Sequence, residues 1–158
     1  CTMLRLGEDG ILSSELRGCG AGVLHVTPFH SYPSGVTATA AKRREYALWA
    51  RAHGAYIVED DYDSEFSALL KPVETVFSVA PERVIYINSF SKTIAPAIRT
   101  GYMVLPEPLT GLFEQRLGFY SCTVPVFEQL VLAEFIRSGE LERYINRKRR
   151  ELRQKMKG

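Results

Sequence analysis

The sequence predicts an α/β fold, a three-layer α/β/α sandwich built around a mostly parallel sheet. Short apolar runs rich in β-branched residues alternate with longer amphipathic stretches, which is the pattern of strands connected by helices. The runs are apolar at nearly every position, as expected for strands that are buried on both faces. With 158 residues, 46% of them hydrophobic, the chain is about one domain long and can bury a core.

Four strands and a helix are expected in the first two thirds of the chain. The strands are predicted at residues 22–27, 55–58, 84–87 and 101–105. A helix is predicted from about Thr39 to His53, because apolar residues recur on one side of it and basic residues on the other. Gly54 follows directly and suits the left-handed position that closes a helix. A further strand, already under way at the first residue, is expected at residues 1–6.

The last third is predicted to be helical, at residues 109–117, 126–137 and 140–157. Ser138 and Gly139 separate the last two helices. The final helix carries many Lys and Arg residues, and one interpretation of such a run is contact with DNA. Because Glu140, Glu142 and Glu151 are mixed among the basic residues, a solvated helix of mixed charge is favoured instead.

The bulk composition argues against several classes of protein. The net charge of +2 is too small to indicate nucleic-acid binding by itself. The three cysteines are far apart and odd in number, which argues against a disulfide framework and favours a reducing cytoplasm. The apolar runs are too short to span a membrane, and no signal peptide is visible. Because the sequence does not begin with Met and stops inside a helical pattern, we expect a fragment of a longer protein.

Three polar segments follow predicted strands at the point where each strand ends. They are residues 30–35, 60–62 and 89–92. Ligands of open α/β sheets gather beyond the carboxyl ends of the strands. The sequence therefore predicts a binding site to which these three segments contribute.

The third of these segments contains Lys92, which lies close to two serine hydroxyls and is followed at a distance of seven residues by Arg99. A lysine amine that is partly desolvated at a strand end can form a Schiff base with an aldehyde. Ser89, Ser91 and the fork of Arg99 could then bind a phosphate group, helped by backbone N–H groups of a helix starting near Thr93. The ordinary alternatives are a surface lysine and a surface ion pair of Arg99.

The second segment contains Asp60 and Tyr62, and three interpretations of it stay open. Carboxylates directly after a strand are often helix caps or turn formers. The acidic run at residues 59–63 would also suit Mg²⁺. The third interpretation agrees best with the lysine: a carboxylate beside the nitrogen of a pyridine-ring cofactor raises its pKa and keeps it protonated, while a tyrosine hydroxyl binds the phenolic oxygen of the ring.

Residues 59–66 and 89–102 together resemble the fold-type-I pyridoxal-phosphate-dependent aminotransferases. The resemblance is strongest to the aminotransferase-like domain of MocR-type regulators of the GntR superfamily. Residues 30–36, 127–129 and 136–139, with Arg143 after them, also fit that branch. The likeness covers almost the whole chain and implies part of the large domain of this family.

The resemblance implies a role for each candidate site residue. Lys92 would be the catalytic lysine that binds pyridoxal 5′-phosphate covalently. Asp60 would pair with the pyridine nitrogen, for which Asp61 is the competing choice, and Tyr62 would bond the phenolic O3′. The phosphate would be held by Ser89, Ser91 and Arg99. Tyr32 stands where other aminotransferases have an asparagine that bonds O3′, so that contact is not expected here, and His30 is a weak replacement.

The resemblance also implies an organisation and two possible functions. Residues 1–138 would be part of the large, cofactor-binding domain, and residues 139–158 would begin the helix leading to a C-terminal small domain. The favoured function is to sense an amino acid or amine in a cytoplasmic homodimeric regulator. DNA would be bound only by an N-terminal winged-helix domain that this chain does not contain. The alternative is an active aminotransferase that acts on an amino acid, and neither function requires a metal.

Overall fold

The computed structural model describes residues 1–62, 64–66 and 74–155. The strands are β1 (Leu6–Gly7), β2 (Gly10–Ile11), β3 (Val23–Val26), β4 (Tyr56–Asp60), β5 (Val84–Ser89) and β6 (Gly101–Val104). The α-helices are α1 (Ser13–Gly18), α2 (Ala40–His53), α3 (Val76–Val79), α4 (Phe90–Thr93), α5 (Glu107–Leu117), α6 (Val126–Arg137) and α7 (Glu140–Lys155). A 3₁₀ turn covers Ser64–Phe66.

The described residues divide into two compact units. The first contains residues 1–62, 74–88 and 102–119, and the second contains residues 64–66, 89–101 and 120–155. Each unit is described by itself below.

The main sheet has the strand order β3-β4-β5-β6. Strand β4 pairs in parallel with β3 on one side and with β5 on the other. The register places Val26 beside Glu59 and Asp60 beside Ile87, so the carboxyl ends of β3, β4 and β5 lie at one edge. The predicted α/β class with a mostly parallel sheet is therefore confirmed.

One face of this sheet forms the core of the first unit. Leu24, Val26, Ile57 and Val84 are buried and cluster with Tyr46, Ala47, Trp49 and Ala50 of α2. Helix α2 begins where the Thr39 side chain accepts the N–H of Lys42, and it ends at Gly54, whose φ is 62°. The other face is less covered by the described residues: Val58 and Ile85 are half-buried, and Val23 and His25 are exposed.

Two other boundaries differ from the sequence-based expectation. The strand predicted at residues 1–6 is wrong, since β1 begins at Leu6 and forms only a short antiparallel pair with β2. Helix α5 begins at Glu107, two residues earlier than expected, because Pro108 is acceptable in a first helical turn. The predicted end of the last helix, at residue 157, lies outside the described residues. Nowhere in the described ranges is a helix both long enough and apolar enough to cross a membrane.

Tyr46 connects helix α2 to the short hairpin of β1 and β2. Its hydroxyl accepts the N–H of Ile11 at 2.7 Å, and the residue is 2% exposed. Gly10 has a φ of 128°, and a Cβ at this position would lie 2.4 Å from the Tyr46 hydroxyl oxygen, so only glycine fits. Burial raises the pKa of Tyr46 to about 12.

We expect Tyr46 to make the stability depend on pH above about 10. An unfolded tyrosine ionises near pH 10, roughly two units below the folded residue, so the folded state keeps its proton longer. The contribution of the Tyr46 hydroxyl to the free energy of unfolding is complete below pH 10 and is lost as the pH rises towards about 12. Urea unfolding measures the free energy of unfolding at about pH 8 and at about pH 11. Between these two pH values the free energy of unfolding should fall less for Tyr46→Phe than for the unmodified protein. At about pH 8 the variant should be less stable by about 1 kcal/mol, because it lacks the hydrogen bond. The exposed Tyr120→Phe is the matched control, and equal pH dependence in all three proteins would contradict the assignment.

Candidate functional site

The carboxyl end of β4 presents three acidic side chains in alternating directions. Glu59 and Asp61 are 1% and 3% exposed, whereas Asp60 between them is half-exposed. Successive side chains of a strand point to opposite faces, which explains the alternation. Asp60 therefore lies on the less covered face of the sheet, where its Oδ2 is 3.7 Å from Nε2 of His25.

Glu59 caps a helix and is not available to a ligand. Its two carboxylate oxygens accept the N–H groups of Val76 and Phe77, at 2.9 and 2.7 Å, at the start of α3. Burial raises the pKa of Glu59, although these two hydrogen bonds and nearby Arg43 act in the opposite direction. Glu59 therefore caps α3 from a position within strand β4.

Asp61 is held by groups of the neighbouring strand. Its N–H donates to the carbonyl of Ile87 at 2.9 Å, and its Oδ2 accepts the hydroxyl of Tyr86 at 2.9 Å. Asn88 Nδ2 in turn donates to the Tyr86 hydroxyl at 2.9 Å. Tyr86 and Asn88 were not predicted as part of the site, because nothing in the order of residues shows that they meet a carboxylate at the end of another strand.

The magnesium interpretation receives no support from these contacts. Glu59 and Asp61 contact different partners on the buried face, and Asp60 lies on the opposite face. The part of the chain that the structure describes contains no group of three His, Cys, Asp or Glu side chains placed to hold a metal ion. Asp63, the last acidic residue of the run, lies outside the described residues.

Tyr62 lies next to the turn at residues 30–35, as the convergence of strand ends predicted. Its hydroxyl donates to the carbonyl of His30. The turn is closed by the N–H of Ser31, which donates to Val36 O at 2.8 Å, and by the N–H of Gly35, which donates to Ser31 O at 2.7 Å. The Tyr32 side chain, in the position of the usual asparagine, is 88% exposed.

Lys92 lies inside the four-residue helix α4, which directly follows β5. The helix expected to start near Thr93 starts at Phe90 and ends at Thr93, so that expectation was wrong. Ser89 is the last residue of β5 and the N-cap of α4, and its side chain makes no capping hydrogen bond. Lys92 itself is exposed.

A closed loop, rather than a continuing helix, brings Arg99 back to Ser91. The N–H of Phe90 donates to the carbonyl of Thr100 at 2.9 Å and so joins the two ends of the loop. Inside it, the Ser91 hydroxyl donates to Ile98 O at 2.6 Å and accepts from Arg99 Nη1 at 3.3 Å. The second unit therefore holds a hydroxyl and an exposed guanidinium side by side, on the same short segment as Lys92.

The structure thus assembles the predicted site residues as two groups. Asp60 and Tyr62 follow each other at the end of β4 in the first unit, and Ser89, Ser91, Lys92 and Arg99 lie together in the second. The roles predicted for these six residues stay predictions.

Comparison with known proteins identifies regulators as relatives. No family model matches the chain. It is 36% identical over 149 residues to the HTH-type transcriptional regulator YdeL of Bacillus subtilis, which covers 94% of this chain and 32% of that protein. Identity is 35% over 127 residues to the pyridoxine biosynthesis regulator PdxR of Corynebacterium glutamicum, covering 80% of this chain and 28% of the relative. The chain is 33% identical over 129 residues to the probable rhizopine catabolism regulatory protein MocR of Rhizobium meliloti, and the match covers 81% of this chain and 26% of that protein. The chain spans about a third of the length of these relatives or less.

Several aminotransferases are among the similar solved structures. Kynurenine aminotransferase of Pyrococcus horikoshii, solved with PMP, superimposes with a TM-score of 0.78 at 28% identity, over 92% of this chain and 38% of that one. The α-aminoadipate aminotransferase LysN of Thermus thermophilus was solved with N-(5′-phosphopyridoxyl)-L-leucine. It superimposes with a TM-score of 0.79 at 27% identity, over 96% of this chain and 41% of that one. Over most of its length, the chain is therefore a homologue of MocR-type regulators of the GntR superfamily, with the fold of pyridoxal-phosphate-dependent aminotransferases.

Proposed function

We propose that this chain is the pyridoxal-phosphate-binding, effector-sensing part of a MocR-type transcriptional regulator. The observation that carries the proposal is the segment after β5, where Lys92 shares a closed loop with the paired Ser91 and Arg99. This segment belongs to a chain whose curated relatives are regulators and whose structural relatives are aminotransferases.

The residues present fit such a cofactor by their chemistry. A hydroxyl and a guanidinium held together suit a phosphate group, because both donate hydrogen bonds to its oxygens. The half-exposed carboxylate of Asp60 suits a protonated ring nitrogen. When bound, the cofactor supplies an aldehyde for amines to react with and a ring that withdraws electrons.

Each residue then has a defined task. Ser91 and Arg99 bind the phosphate, with Ser89 as a further hydroxyl donor. Asp60 holds the proton at the ring nitrogen, and Tyr62 orients the phenolic oxygen. Lys92 would bind the aldehyde group through Nζ, and its amine would be able to hold a proton when it is not bound there.

Sensing would follow from exchange at the site. An amino acid or amine bound there in place of the Lys92 amine would change the contacts within the site, and this difference would shift the conformational equilibrium of the whole protein. We place residues 1–138 in the cofactor-binding domain and residues 139–158 at the start of the link to a small domain. The complete protein would be a cytoplasmic homodimer that binds DNA through a winged-helix domain outside this chain, as the HTH-type relatives suggest.

A second candidate function is transamination of an amino acid. It is favoured by the similarity to aminotransferases solved with PMP and with a phosphopyridoxyl amino acid. The same six side chains would serve both functions. The two functions therefore differ only in whether a bound amine changes the affinity for DNA or is converted to a 2-oxo acid.

One experiment separates the two functions in the full-length regulator. Pyridoxal phosphate is added first, and a panel of amino acids and amines follows, while absorbance, affinity for promoter DNA and 2-oxo acid formation are measured. We expect a visible absorption band, a spectral change with at least one amine, and a change of about tenfold in DNA affinity caused by the same amine. Many turnovers of 2-oxo acid with an unchanged DNA affinity would establish the aminotransferase instead. The absence of any visible band would contradict both functions.

A further inference from the structure

Three polar side chains form a buried series across β4 and β5 in the first unit. Asn88 Nδ2 donates to the Tyr86 hydroxyl at 2.9 Å, and this hydroxyl donates to Asp61 Oδ2 at 2.9 Å. Asn88 and Asp61 are 2% and 3% exposed, and Tyr86 is half-buried. The series therefore runs in a single direction, from an amide donor through a hydroxyl to a carboxylate.

Such a series is not the most stable way to fill a core. Burying a carboxylate is unfavourable, its hydrogen bonds offset only part of this desolvation, and apolar side chains of similar volume often make the protein at least as stable. Fully connected polar networks, in contrast, fix one arrangement of the groups that they join. Here the network fixes the backbone conformation of residues 60–62, at the end of β4.

Asp61 connects the network to this part of the backbone. It lies between Asp60 and Tyr62 in the sequence, and its own N–H is bonded to Ile87 O at 2.9 Å. With the Asp61 side chain held on the buried face, the Asp60 side chain must point to the opposite face, and Tyr62 must follow the turn that brings its hydroxyl to His30 O.

We infer, on the basis of the proposed function, that Asp61, Tyr86 and Asn88 form a positioning network that aims Asp60 and Tyr62 at the ring of pyridoxal phosphate. None of the three is assigned a contact with the cofactor. They act through the backbone of residues 60–62, which the network ties to β5, the strand that leads directly into the Lys92 segment.

The protonation of Tyr86 agrees with this task. Burial raises the pKa of its hydroxyl, and the neighbouring Asp61 acts in the same direction. Tyr86 therefore stays neutral over the whole physiological range and keeps its proton on the bond to Asp61.

Tyr86→Phe in the full-length regulator tests the network, because it removes the hydroxyl and keeps the ring. The probe is pyridoxal phosphate itself, followed by its visible absorption. We expect the affinity for the cofactor to fall by about tenfold, as is typical when a group that orients a ligand-binding residue is lost. The midpoint pH of the visible band should also shift by roughly one unit, because a misplaced Asp60 or Tyr62 changes the charge balance of the ring. A purely structural role would lower the stability of the cofactor-free protein and leave the midpoint unchanged.

The matched control is Tyr56→Phe at the amino end of the same strand β4, which should change neither the affinity nor the midpoint. Asn88→Ala is a milder second variant, which keeps the bond between Tyr86 and Asp61 and should shift the midpoint less, in the same direction. The inference is overturned if Tyr86→Phe behaves like Tyr56→Phe, or if neither Tyr86→Phe nor Asn88→Ala folds, since stability alone would then explain the network.

Failure of the proposed function gives a different result from failure of the network. If Lys92→Ala leaves the visible band in place, the proposed function is wrong and the positioning role is wrong with it. If Lys92→Ala removes the band while Tyr86→Phe has no effect on it, only the positioning role is wrong.

Discussion

Lys92→Ala is expected to remove the visible absorption band of bound pyridoxal phosphate completely. The affinity for the cofactor should fall by at least about a hundredfold, which corresponds to about 2.7 kcal/mol. The physical reason is that the variant has no amine beside the Ser91 and Arg99 pair, so only the non-covalent contacts to phosphate and ring are left. Absorbance titration of the full-length protein measures both quantities. Borohydride reduction followed by peptide mass analysis should place the cofactor on Lys92 in the unmodified protein.

Two variants separate covalent binding from general charge effects. Lys92→Arg keeps a positive charge that could attract phosphate but cannot bond the aldehyde, so it should also lack the band. Lys148→Ala removes a lysine whose Nζ contacts Glu151 at 2.9 Å on the surface of α7, and it should keep the band. A normal band in Lys92→Arg, or reduction products on another lysine, would show that the assignment of Lys92 is wrong.

The repeating features of the fold could be predicted from the sequence. Apolar runs at residues 55–58 and 84–87 indicated β4 and β5, and the ends of both strands at one edge followed from parallel pairing. Helix α2 was predictable because its boundaries carry local signals, Thr39 at the start and Gly54 at the end. These signals act within a few residues, so they can be recognised without knowledge of the tertiary structure.

The parts that failed depend on contacts between distant residues. Arg99 approaches Ser91 because the loop between Phe90 and Thr100 is closed by a backbone hydrogen bond, which the spacing of seven residues between Lys92 and Arg99 does not show. The burial of Glu59 depends on α3, which follows 17 residues later. Asp61 depends in the same way on Tyr86, which lies 25 residues further along the chain. An acidic run looks uniform in sequence, but the alternation of the strand and these distant partners give each carboxylate a different environment.

The differences among the three carboxylates also bear on function. The only one of them that lies half-exposed on the less covered face is Asp60, whereas Glu59 and Asp61 are buried in structural contacts. This favours Asp60 over Asp61 as the partner of the ring nitrogen, because the Asp61 carboxylate already accepts the hydroxyl of Tyr86. The choice between them was open on sequence spacing alone.

Glu59→Ala is expected to lower the free energy of unfolding by about 3–5 kcal/mol, the range found when one partner of a buried charged contact is removed. The buried N–H of Val76 and the half-buried N–H of Phe77 would lose their acceptor, and the truncated side chain would leave a cavity. Arg43, which is 5% exposed and is stabilised in its charged form by Glu59, would lose that neighbour. Because typical domains are stable by only about 5–15 kcal/mol, a loss of this size is a large share of the total.

Urea unfolding of the full-length protein, with and without pyridoxal phosphate, measures this effect, and two further variants define its cause. Glu59→Gln keeps one oxygen that can accept an N–H but turns an amide donor towards the other, so its loss of stability should be intermediate. Glu82→Ala removes an exposed glutamate whose contact is with Arg51 at 2.7 Å, and it should have little effect, because exposed ion pairs contribute little. Equal losses in Glu59→Ala and Glu82→Ala would contradict the capping role. Since Glu59 lies next to Asp60 on β4 but faces the core, we expect Glu59→Ala to destabilise the cofactor-free protein and to leave the spectrum of the folded, cofactor-bound protein unchanged.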